Sequence, residues 1–62
     1  MNFELFKAIR QKGLRQRDFA VIVGDDESVV SRIVNGVWVP DVERKLRYAR
    51  ALGKKVDEVF PR

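Results

Sequence analysis

The chain has 62 residues, 45% of them hydrophobic and 35% charged, which suits one small folded domain over residues 1–62 and leaves no room for a substrate domain beside a regulatory one. It contains no cysteine and no histidine, which excludes disulfide staples, thiolate chemistry, Cys/His metal sites and histidine acid–base catalysis. Thirteen Lys/Arg against nine Asp/Glu leave a formal net charge of +4, a balance suited to a polyanionic partner, spread as +3 over residues 1–24, −4 over 25–43 and +5 over 44–62.

Gly13, Gly24, Gly36, Pro40 and Gly53 cut the chain into segments of helical spacing with no sustained period-2 alternation, so an all-α fold of four to five short helices is predicted. Helix one is expected over about residues 3–12, with Phe3, Phe6 and Ile9 at three-residue steps, Leu5 alongside, and Gly13 as a left-handed terminator. Helix two, about 16–23, carries Phe19, Ala20 and Val23 on one face and Asp18 in its first turn, where a carboxylate suits the helix dipole. Gly24 ends it. Asp26 is the expected N-cap of helix three, about 27–34, which turns Val30 and Ile33 inward. Asn35-Gly36 closes that helix, and Val37-Trp38-Val39-Pro40 reads as an extended loop. Asp41 caps helix four, whose expected inward stripe is Val42, Leu46, Ala49 and Leu52, with Arg44, Arg47 and Arg50 on the opposite side and Gly53 as terminator. Lys45 lies at the edge of the stripe, its stem packing while the ammonium reaches water. Asp57 and Glu58 open a last turn or helix that tucks Val56, Val59 and Phe60 onto the core. No window approaches 18 consecutive apolar residues and the opening Met-Asn-Phe-Glu lacks an export signal, so a cytoplasmic protein without a membrane partner is expected.

Two short helices joined by a tight turn, within about 16–35, form the supersecondary unit that presents one helix to the DNA major groove. The run Gly13-Leu14-Arg15-Gln16-Arg17-Asp18-Phe19-Ala20, then Gly24, then Ser28 to Gly36, then Pro40, resembles the helix-turn-helix domain of lambda repressor, Cro and the xenobiotic-response-element-type regulators. The resemblance continues through Ala49-Arg50-Ala51-Leu52-Gly53 and Asp57-Glu58-Val59-Phe60 and so covers nearly the whole chain. It implies a compact lambda repressor-like bundle, a recognition helix over about 27–34, and a small repressor or regulator of the phage-repressor, Cro or antitoxin kind. Such a protein binds a double-stranded, palindromic operator as a homodimer, with no cofactor, metal or small-molecule ligand.

On that resemblance, Gln16 lies where relatives bond a backbone phosphate, although a solvent-facing first-turn glutamine is the plainer alternative. Arg15 stands where relatives often carry a threonine or serine cap; it has no oxygen acceptor for that role but is long enough for a phosphate, and Arg17 joins it on the DNA-binding side. Glu27 and Ser28 open the recognition helix. Serine serves either donor or acceptor on a base edge, while glutamate accepts from cytosine N4 or simply complements the helix dipole. Val29 suits a thymine methyl, and Arg32 reaches a guanine O6/N7 edge, a phosphate, or an ion pair with Asp25 or Glu27. Ser31 either packs where the helices cross or meets a phosphate, and Asn35 either approaches a phosphate or only terminates the helix. The ridge Arg44, Arg47, Arg50, Lys54, Lys55 reads as a solvated face that could extend the basic footprint.

Two features besides Arg15 depart from the family. Asp25-Asp26-Glu27 places three negative charges at the mouth of the recognition helix, and at about 1 kcal/mol per close charge pair in water such repulsion offsets several phosphate contacts. Val21, Ile22, Val34, Val37, Trp38 and Val39 are apolar where relatives are usually polar, and exposed apolar clusters mark partners. Val37, Trp38 and Val39 therefore form a candidate dimer or partner interface, with Trp38 folding back on the core as the alternative. The competing function is a protein-interaction module on the same scaffold, using the Val21/Ile22 and Val37–Val39 surfaces. No phosphate loop, metal spacing or activated nucleophile supports an enzyme.

Overall fold

The computed structural model describes residues 1–61 and contains five helices in chain order: α1 (Phe3–Gln11), α2 (Gln16–Val23), α3 (Glu27–Val34), α4 (Val42–Leu52) and α5 (Val56–Val59). No strand occurs among the described residues. The helices surround one core cluster in which Leu5, Ile9, Phe19, Val30, Val34, Tyr48, Leu52 and Val59 are fully buried. α2 packs mainly on α3, α1 bridges α3 and α5, and α4 closes the far side against α2 and α5.

The termini of the helices are set by local chemistry. Asn2 caps α1 by accepting from the Leu5 N–H at 3.0 Å, while its Nδ2 donates to the Val59 carbonyl at 2.8 Å and its own N–H donates to the Val34 carbonyl at 2.7 Å. One residue thus joins α1, α3 and α5. Arg15 precedes α2 and, lacking an acceptor, offers no side-chain cap; instead Asp18 reaches back to accept from the Arg15 N–H at 3.0 Å. Asp41 caps α4 as expected, accepting from the Arg44 N–H at 3.0 Å. Asp26 occupies the N-cap position of α3, but its side chain makes no capping bond, and only its carbonyl accepts, from Val29 and Val30.

Gly24 turns the chain between α2 and α3 at φ +79°, a left-handed conformation that suits glycine, and its N–H donates to the Ala20 carbonyl at 2.9 Å. Gly36 ends α3 at φ +77° with Met1 packed against it, so close that an added Cβ would lie 3.2 Å from the Met1 nitrogen.

Four expectations about burial are corrected. On α1, Phe3 is 69% exposed and the core face is Leu5, Ala8 and Ile9, because α3 and α5 dock on that side. On α4, Val42 is 71% exposed and Leu46 is also exposed; Tyr48 replaces them, completing the buried set with Ala49 and Leu52. Val34 is fully buried and belongs to the core rather than to an exposed apolar excess. Arg44 and Arg47 are not a solvated ridge: both turn toward Asp25 and are partly buried, whereas Arg50 is exposed.

Candidate nucleic-acid interface

α3 is built to show one face and hide the other. Val30, Ile33 and Val34 anchor it in the core, and the 3.6-residue period then leaves Glu27, Ser28 and Arg32 exposed on its outer side. Arg32 makes no ion pair with Asp25 or Glu27, nor with any other of the described residues, so its guanidinium is free. Val29 is half-buried and packs on the core edge, leaving part of its side chain outside. Ser31 is half-buried, and its hydroxyl accepts from the Asn35 amide at 3.3 Å, a bond that joins the last turn of α3 to its C-cap.

The start of α2 precedes the start of α3 by the length of α2 and the glycine turn. Gln16 is half-exposed at its first position, and Arg15 and Arg17 are exposed on either side. The Arg15 Nε stands 3.7 Å from Asp18, a loose, solvated pair that leaves most of the guanidinium accessible. The Arg15 side chain makes no capping bond here, and a helix N-terminus is a place where an anion is accepted.

The acidic mouth is smaller than its sequence suggests. Asp25 is only 8% exposed at its side chain and is taken up by α4. The Tyr48 hydroxyl donates to its Oδ2 at 2.6 Å, the Arg44 Nε stands 3.2 Å from the same oxygen, and Arg47 donates to Oδ1 at 3.4 Å. Burial of Tyr48 and its bond to the carboxylate push the phenol well above its ordinary value of 10.0, with the two arginines acting in the opposite sense. The other face of Arg44 stacks over the Trp38 ring, 4.9 Å from its centroid. Of the three acids, Asp26 and Glu27 therefore remain exposed at the mouth of α3, with no ion-pair partner among the described residues. Tyr48 does not stand out in the sequence, because an aromatic beside three arginines reads as part of a charged face. Asp25 looked like one of a run of acids because its partners lie 19 to 23 residues away.

Trp38 neither buries itself nor stands free: it is 41% exposed, its ring shared between Arg44 and a groove of about 450 Å³. Phe3, Val39, Pro40 and Phe60 also line that groove, and Lys45 lies over the Phe60 ring at 5.7 Å. Val37 and Val39 are exposed beside it, whereas Val21 and Ile22 are exposed separately on the outer side of α2.

A short helix, a glycine turn and a second helix with a buried apolar face and a free polar face define a helix-turn-helix DNA-binding domain. A model of the family described as Helix-turn-helix matches residues 5–59, and the chain belongs to this family of lambda repressor/Cro-like proteins. The family binds DNA, and the chain is a DNA-binding regulator of that general class. No curated protein and no solved structure matches the chain. No helix among the described residues is long and apolar enough to cross a membrane.

Proposed function

We propose that the protein is a sequence-specific repressor or regulator that acts by occupying a double-stranded DNA operator, with α3 in the major groove. The observation that carries this is the outer face of α3, where Glu27, Ser28 and Arg32 are exposed together and Arg32 is free of internal partners. Arg32 reads a guanine O6/N7 edge, Ser28 donates or accepts at a base, Glu27 accepts from a cytosine N4, and the exposed part of Val29 meets a thymine methyl. Gln16, with the open N-terminus of α2 behind it, Arg15, Arg17, Ser31 and Asn35 hold phosphates. The site is small for one copy, and a homodimer reading a palindrome, joined through Val37, Trp38 and Val39, doubles it.

Fluorescence anisotropy of a random-sequence duplex across a salt series tests this. If about 6–10 phosphates are engaged, affinity falls by about 10³–10⁵ between 50 and 200 mM salt. On a site selected from a random pool, Arg32→Ala costs about 1–3 kcal/mol and relaxes the preference at one base pair. An unchanged preference in Arg32→Ala removes its assigned role. A second function, a protein-interaction module, is favoured by the exposed Val21/Ile22 pair and the Trp38 groove. It takes the lead if neither the wild type nor Asp26→Asn/Glu27→Gln binds DNA at 50 mM salt.

A further inference from the structure

Arg44 touches the chain on both sides of the recognition helix. Its guanidinium pairs with Asp25, two residues before α3, and stacks on Trp38, four residues after it. Tyr48 and Arg47, one turn further along α4, complete the hold on Asp25. Both flanks of α3 are therefore bracketed by a single side chain on α4, in addition to the apolar anchors Val30, Ile33 and Val34. We infer that Asp25 and Arg44 are positioning residues for sequence reading: together they fix the pitch of α3 over the domain and keep two arginines away from the phosphate backbone.

The chemistry of the pair gives it two separable effects. A planar guanidinium holds a carboxylate on one edge and an aromatic ring on its face at the same time, which sets an angle as well as a distance. The Asp25 carboxylate also occupies two cations beside the turn that leads into α3, and non-specific affinity grows with each cation that is released to a phosphate. Specificity is the difference between the two kinds of binding, so the bracket raises it from both sides.

This rests on the major-groove role proposed for α3. The test selects binding sites from a random-duplex pool with the wild type, Asp25→Asn and Arg44→Gln, and measures anisotropy on the selected and random duplexes with helicity followed by circular dichroism. Both variants are expected to lose about tenfold of the wild-type preference for the selected duplex. They separate on random DNA: Asp25→Asn binds it several-fold more tightly, with a salt slope steeper by up to about 1.8 if both arginines reach phosphates, while Arg44→Gln does not. Equal losses on selected and random DNA in folded variants indicate general destabilisation and overturn the inference, as does an unchanged preference in Arg44→Gln. Should Asp25→Asn not fold, Arg44→Gln decides, since Asp25 there keeps Tyr48 and Arg47. A wild type that enriches no sequence overturns the DNA-reading role itself, a result distinct from variants that keep the wild-type motif.

Discussion

Tyr48 combines two roles in one side chain. Its ring lies edge-on to Phe19 with centroids 5.1 Å apart, deep in the core, while its hydroxyl ends at the Asp25 carboxylate. Burial and that carboxylate both resist ionisation, so the native state prefers the neutral phenol more strongly than the unfolded chain does. The contribution is complete below the ordinary value of 10.0 and is lost as pH rises above it, because the unfolded chain then releases a proton that the native state keeps. Denaturant melts from pH 8 to 11.5 should show stability falling above pH 10 with a component of up to about 1.4 kcal/mol per pH unit that Tyr48→Phe removes. The chain has one tyrosine, so its tyrosinate absorbance should rise with unfolding rather than with pH in the native state. A native protein that ionises freely at pH 10 contradicts this.

The helices themselves were legible because their punctuation is chemical. Gly24, Asp41 and Gly53 stop and start elements through φ and capping, both local properties, and α2 and α3 occupy the expected spans 16–23 and 27–34. Which face points inward was less legible where a helix has apolar residues on two sides. α1 carries Phe3 and Phe6 as well as Leu5 and Ile9, and only the docking of α3 and α5 decides between them. α4 is so rich in charge that Tyr48 outweighs Val42 and Leu46 once Asp25 supplies its hydroxyl with a partner. For the candidate site, the outward residues of α3 follow from periodicity, whereas the hold on Asp25 depends on a tertiary meeting that no local pattern announces. At Gly36 the turn and the packing both demand glycine: Gly36→Ala should cost about 1–2 kcal/mol from the left-handed backbone alone, read as a lower Tm, with displacement of Met1 adding to it. Asn2→Ala should cost about 2 kcal/mol, roughly half from the α1 cap and half from the bond to Val59. Asn2→Ser restores the capping half only, and an equal loss in both variants would locate the whole effect at Val59.

At the scale of the molecule, charge and apolar surface point to different partners. The cations at the start of α2 suit a polyanion, while the exposed Val37, Trp38 and Val39 suit the second copy proposed above. Sedimentation velocity at micromolar concentration should show a dimer that Val37→Ser/Val39→Ser converts to a folded monomer; a monomeric wild type removes the homodimer. The contact between Asn2 and Val59 joins positions 57 apart in sequence. Such a clasp makes the domain a closed loop in all but covalent bond: loosening one end strips a partner from the other, so melting should proceed as one event rather than as fraying from either terminus. A covalent link between positions 2 and 59 would make that closure permanent and keep α3, which is held at Val34 by the Asn2 N–H, in place through excursions that open the clasp.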